Sequence, residues 1–118
     1  MQTFETGATR DDSDDKLNYI GFLSPFVIKR YSEYLHAHRK QSDGNMRPAD
    51  NWKAGIPKQK YLESMARHFM DVWLIHEGCE CLDLRDKHTI SLEEALCAVI
   101  FNAMGYLHEL EKPQNATL

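Results

Sequence analysis

Apolar and polar positions alternate with a helical period in three stretches of the chain. The cleanest is Leu92, Ala95, Leu96, Val99, Ile100, Ala103, Leu107 and Leu110, whose spacings of three and four residues put them on one side of a helix. Ser91 precedes it with Glu94 three positions on, the pattern of a capping box, and Pro113 stops it. A second stretch carries Leu62, Met65, Phe69, Val72 and Trp73 and ends at Gly78. A third starts at Ser24-Pro25, a cap followed by a first-turn proline, and carries Phe26, Val27, Tyr31, Tyr34 and Leu35. The pattern predicts helices near 25–38, 58–77 and 91–111. No stretch shows the period of two that a half-buried strand needs. The expectation is an all-α fold, a small three- to four-helix bundle. Three amphipathic helices build only a thin core, so the leftover apolar surface predicts a homo-oligomer.

Between these elements the chain is polar. Residues 1–15 carry few apolar groups and read as an N-terminal arm, extended or mobile, ahead of a helical domain over 16–113 and a tail at 114–118. Within the arm, Gly7 to Asp11 with Arg10 is a segment able to close over a ligand. Residues 41–57 form a loop that is long for so small a domain, and such loops are often functional. Asp43-Gly44-Asn45 is turn chemistry, Pro48 and Pro57 bracket the remainder, and Arg47, Asn51, Trp52 and Lys53 lie between or beside them. Residues 79–90 form a polar connection.

At 118 residues the chain fits one domain. Its net charge of −4, with acids gathered at Asp11, Asp12, Asp14 and Asp15, argues against binding a nucleic-acid polymer, which wants a basic face. A small phosphorylated ligand held by a few local cations is compatible with that charge. No apolar run approaches the roughly 20 residues that span a bilayer, and no basic-then-apolar signal opens the chain. A cytoplasmic protein without a membrane partner is expected. Three cysteines, Cys79, Cys81 and Cys97, are an odd number and do not suggest a disulfide framework. Cys79-x-Cys81 with His76 and His88 lacks the two-residue spacer and the second pair of a zinc knuckle.

The chemistry gathers on the second helix. Glu63, Arg67, His68 and Asp71 stand three to five residues apart, so they lie near one another on its surface. Glu63–Arg67 and Arg67–Asp71 pairs on a solvated face would need the same spacing. As a site, carboxylates from Glu63, Asp71 and Glu94 suit magnesium or manganese. His68 beside Asp71 is placed to take a proton from water or to anchor the carboxylate. Arg47, Lys53 and Arg67 can neutralise phosphate, and Asn51, Trp52 and Asn102 are candidates for base or sugar. The chain has no Gly-rich phosphate loop and no nucleophile elbow, which excludes those two routes.

The segments RDDSDDKLNY, GFLSPFVIKRYSEYLHAHR, DGNMRPADNWKAGIP, YLESMARHFMDVWLIHEG and EEALCAVIFNAMGYLHEL resemble, in order, a phage-encoded dATP/dGTP diphosphohydrolase-like family. That family is similar, more distantly, to the all-helical MazG-type pyrophosphohydrolases. The resemblance spans about Gly7 to Glu111 and implies a helical oligomer, a Mg2+ or Mn2+ cofactor, and cleavage of a purine dNTP to dNMP and pyrophosphate, in a host cytoplasm. The MazG pattern has E-x-x-E on one helix and E-x-x-D on the next. Here Glu33-x-x-His36 and His68-x-x-Asp71 stand in those places, while Glu77, Glu80 and Asp83 fit the letters across Gly78. The departure leaves an alternative: a phage nucleotide-binding protein that sequesters a cyclic or signalling nucleotide without cutting it.

Overall fold

A computed structural model describes residues 1–11 and 15–113. Asp12 and Asp14 of the acidic run, and the tail 114–118, lie outside the described residues. The fold is mostly helical, with four helices and a small two-stranded hairpin among the described residues. The chain divides into two compact units, Met1–Ser32 and Glu33–Leu118.

In the first unit the arm holds a hairpin. Strand β1 (Gln2–Thr3) pairs antiparallel with β2 (Thr9–Arg10), Gln2 opposite Arg10 and Thr3 opposite Thr9. Gly7 makes the turn at φ 88°, a value that other residues rarely adopt. Helix α1 (Tyr19–Phe22) is a single turn, capped by the Asn18 side chain accepting from the Gly21 N–H at 2.8 Å. Helix α2 (Pro25–Ala37) starts where the sequence places it, with the Ser24 hydroxyl accepting from the Val27 N–H.

The second unit is built on two helices, α3 (Lys58–His76) and α4 (Leu92–Glu111), which pack on each other. They run antiparallel: Tyr61 near the start of α3 meets Phe101 and Gly105 of α4, while Phe69 and Trp73 share a groove with Leu92 and Leu96. Ser91 and Glu94 form the capping box reciprocally, with the Ser91 hydroxyl accepting from the Glu94 N–H and the Glu94 carboxylate from the Ser91 N–H. Gly78, at φ 92°, follows the end of α3.

The side of α4 turned to α3 differs from the one its apolar pattern suggests. Ala95, Ala98, Asn102 and Gly105 are buried, together with Cys97 and, on α3, Tyr61. Leu92, Leu96, Ile100, Leu107 and Leu110 are exposed. Small residues let the two backbones approach, and the Tyr61 ring fills the space over Gly105. Asn102 is tolerated in this contact because its side-chain amide donates to the Ala98 carbonyl at 2.8 Å.

Two connections lie along the pair. In 38–57, Lys40 bridges Met46, and the Arg47 N–H donates to the Arg39 carbonyl. A 3-10 turn at Asn51–Ala54 then sets Trp52 edge-on against Phe101 and His108, with ring centroids 6.3 and 4.7 Å apart. In 77–91, Leu82 bridges Thr89. The Asp83 carboxylate accepts from the Arg85 and Asp86 N–H groups and shapes the turn between them. Among the described residues, no helix is long and apolar enough to cross a membrane.

Candidate functional site

Of the polar residues singled out in the sequence, Arg47, Asn51, Trp52, Glu63, Arg67, His68, Asp71 and Asn102 line three cavities of the second unit, while Lys53 and Glu94 line none of the three. The first, about 140 Å³, is walled by Arg47, Asn51 and Trp52 with Tyr34, His38 and Arg39. Its cations are partly engaged at the end of α2. Arg47 donates to the His38 carbonyl at 2.9 Å, Arg39 to the His36 carbonyl, and the His38 ring stacks on Tyr34 with centroids 4.1 Å apart. Cations at a helix C-terminus satisfy its free carbonyls and its dipole. Trp52 is half-buried and serves as a wedge between the loop and α4. Lys53 does not line this cavity; its ammonium lies over the Trp52 ring at 5.7 Å.

The second cavity, about 310 Å³, is lined by Glu63, Arg67 and Asn102, with Lys60, Ser64 and Phe101. Phe101 is common to the first and second cavities. Glu63 pairs with Lys60 at 3.8 Å on an exposed surface; a pair of that kind adds little stability.

The third cavity, about 440 Å³, holds Arg67, His68 and Asp71 from α3 and Asp83 and Arg85 from the 77–91 connection. Arg67 joins it to the second. His68 Nδ1 stands 3.8 Å from the Asp71 carboxylate. Burial lowers the His68 pKa and outweighs the Asp71 charge, which raises it. The imidazole is therefore neutral at pH 7 and can accept a proton, so the His68–Asp71 contact is an ion pair only in acid. The Cys81 thiol also faces Asp71; burial and the carboxylate, to which it hydrogen-bonds, both raise its pKa and keep it protonated. Tyr34, near Glu94 and Asp83, is pushed up to about 12, first by burial and then by the surrounding negative groups.

Glu63, Asp71 and Glu94 do not assemble into one metal shell among the described residues. Glu63 and Asp71 are eight positions apart on α3, about 12 Å along the axis, and line different cavities. Glu94 accepts from His88 at 2.9 Å as well as from the Ser91 N–H. Burial alone would raise the Glu94 pKa, but the His88 and Ser91 hydrogen bonds prevail and lower it. His88, held on its other nitrogen by Asp86, is raised to about 9, with the Glu94 hydrogen bond the largest cause. An imidazolium thus ties the 77–91 connection to the start of α4. Asp83, Asp86 and His88 bring ligand atoms within 4.8 Å of one another. Turn N–H groups and the imidazolium engage one oxygen, Oδ1, of Asp83 and of Asp86, and an imidazolium does not ligate a cation, so His88 does not serve as a ligand in this group.

Sequence spacing placed His68, Asp71 and Arg67 near one another, and all three line one cavity because one helix carries them. Arg85, which lines the same cavity, was not among the sequence candidates, and the Cys81 contact with Asp71 and the His88 contact with Glu94 arise only through the fold of 77–91. The available signal was the density of charge in Asp83-Leu84-Arg85-Asp86-Lys87-His88. Compared with models of protein families, with curated proteins and with solved structures, the chain shows no match.

Proposed function

We propose that the protein is a metal-dependent pyrophosphohydrolase that cleaves a purine (d)NTP to the monophosphate and pyrophosphate. The observation that carries this is the third cavity, where two carboxylates, Asp71 and Asp83, and two guanidiniums, Arg67 and Arg85, line one space with a neutral imidazole. Carboxylates attract a hard divalent cation and guanidiniums attract phosphate. A triphosphate with its cation needs both kinds of group at once.

The donor set fits magnesium or manganese in part. Asp71 is the first choice of ligand and Asp83 the second, in place of the fuller shell with Glu63 and Glu94. Such an ion supplies charge neutralisation and a more acidic water. Arg67 and Arg85 grip the phosphates, and His68 takes the proton released as water adds to phosphorus and the phosphoanhydride breaks. Arg47, Asn51 and Trp52, with Lys53 beside them and Asn102 in the linking cavity, hold the base and sugar.

A second function has its own support. Glu94 is engaged by a cap and by His88, and Glu63 is turned to another cavity. With few carboxylates free for a metal, a nucleotide-binding protein that retains its ligand uncut is the alternative.

The test is incubation of the purified protein with a panel of nucleoside triphosphates and Mg2+ or Mn2+, with products resolved by ion-exchange chromatography. Monophosphate and pyrophosphate in equal amounts support hydrolysis. A bound but intact nucleotide supports the binder, and neither result refutes both.

A further inference from the structure

The turn over 39–47 brings together two arginines that the sequence keeps apart. Lys40 bridges Met46 antiparallel, the Arg47 N–H donates to the Arg39 carbonyl at 2.8 Å, and the Gln41 N–H donates to the Asn45 carbonyl at 2.7 Å. In that register Arg39 stands opposite Arg47, and both line the first cavity. Like charges directly opposite one another repel. Both residues are half-buried, whereas Arg67 and Arg85 of the third cavity are exposed. Arg67 and Arg85 share their cavity with Asp71 and Asp83. Among the described residues, no carboxylate lines the first cavity or pairs with Arg39 or Arg47. Capping of α2 accounts for only part of this charge. Arg39 donates to the His36 carbonyl at 3.3 Å and Arg47 to the His38 carbonyl at 2.9 Å, and a guanidinium has N–H donors beyond those. A helix C-terminus carries about half a negative charge, against two whole positive ones here.

We propose that Arg39 and Arg47 form a second phosphate site, and that the ligand is a nucleotide phosphorylated on the 3′ side of its sugar as well as on the 5′ side. The proposal rests on the nucleotide reading for what that phosphate is attached to. An anion between the two guanidiniums relieves their repulsion, and guanidiniums suit phosphate through parallel N–H···O bonds. At about 140 Å³ the first cavity is the smallest of the three, with room for a phosphate group beside the sugar. Phe101 joins it to the second cavity and Arg67 joins the second to the third. Base and sugar thus lie between two cationic ends. A nucleotide with a free 3′-hydroxyl puts phosphate at Arg67 and Arg85 and leaves the Arg39–Arg47 pair without an anion.

Titration calorimetry on the full chain without added metal tests it, comparing adenosine 3′,5′-bisphosphate with adenosine 5′-monophosphate. The wild type should bind the bisphosphate at least about tenfold more tightly, as expected for charge-assisted hydrogen bonds to one more phosphate. Arg39→Gln and Arg47→Gln should each lose most of that advantage while keeping the far-UV helical signal. The Arg39 side chain bonds only to His36, within its own turn, so that variant serves if Arg47→Gln fails to fold. Arg85→Ala should weaken both ligands and keep their ratio. Equal affinity for the two ligands, no binding of either, or an advantage that survives both glutamine variants overturns the proposal. So does an advantage that the monophosphate regains with saturating inorganic phosphate, since a free anion would then fill the cavity. Equal affinity in a protein that still cleaves nucleoside triphosphates removes the second phosphate and leaves the hydrolase; the tenfold preference without cleavage keeps the phosphate site and leaves the binder.

Discussion

Gly105→Ala is expected to destabilise the protein, although alanine is the better helix former. A Cβ at position 105 would lie 2.7 Å from the Tyr61 hydroxyl oxygen and closer still to ring carbons Cε1 and Cζ. Non-bonded carbons prefer about 3.5–4.0 Å, so the ring or the helix must move by more than about 1 Å. Tyr61 is 1% exposed, and its ring is held by Phe101 at 6.0 Å. It is no flexible chain end that can swing aside. Overpacking of this kind costs about 1–3 kcal/mol, and the helix-propensity gain returns about 1 kcal/mol. A clash with two ring carbons belongs at the upper end, which leaves a net loss of about 1–2 kcal/mol. Urea unfolding followed by far-UV CD reads this as a lower midpoint at unchanged slope. The companion Tyr61→Leu removes the ring, so Gly105→Ala should cost less in that background than in the wild type. An equal or greater stability of Gly105→Ala would refute the close packing of α3 on α4.

Three further outcomes follow from the site. His88 gains its proton affinity from Glu94 and Asp86: raised from 6.5 to about 9 in the fold, it contributes stability that is full below about pH 6.5 and lost as pH rises through about 9. The difference in melting temperature between wild type and His88→Gln should therefore shrink from pH 6 to pH 10, and a difference that grows would show the imidazolium is not the tie. Asp71→Asn should abolish pyrophosphate release while the helical signal and melting temperature stay near wild type; unfolding of the variant would make Asp71 a structural partner instead. Trp52→Ala removes edge contacts to Phe101 and His108, each worth about 0.5–1.5 kcal/mol, and should lower both stability and nucleotide affinity; a change in stability alone, read by titration calorimetry at a temperature where the variant is folded, would remove Trp52 from the ligand site.

Helix positions were legible because their signals are local. Ser24-Pro25, Ser91 with Glu94, and Gly78 each act within a turn, and α2, α3 and α4 begin and end within about two residues of the expected limits. The single turn α1 and the Gln2–Arg10 hairpin were missed. Each is too short for periodicity, although Asn18 and Gly7 supply their cap and turn. On α4 the apolar stripe and the side that packs on α3 differ for a physical reason. Hydrophobic periodicity marks where large apolar groups lie, and it does not say whether the element that covers them belongs to the same chain. Ala98, Asn102 and Gly105 form the intrachain contact through their small size, which a hydrophobicity pattern undervalues. Of the site, the grouping on one helix turn was legible. The exclusion of Glu94, held by His88, was not, because that contact depends on the path of residues 79–90.

The most direct test of the account is product analysis of wild type against Asp71→Asn and Arg85→Ala with a purine dNTP and Mg2+ or Mn2+. Hydrolysis at the third cavity predicts dNMP and pyrophosphate from the wild type, binding without turnover for Asp71→Asn, and weakened binding for Arg85→Ala. Wild-type protein that neither cleaves nor binds any nucleoside triphosphate, or turnover that survives both substitutions, would contradict it.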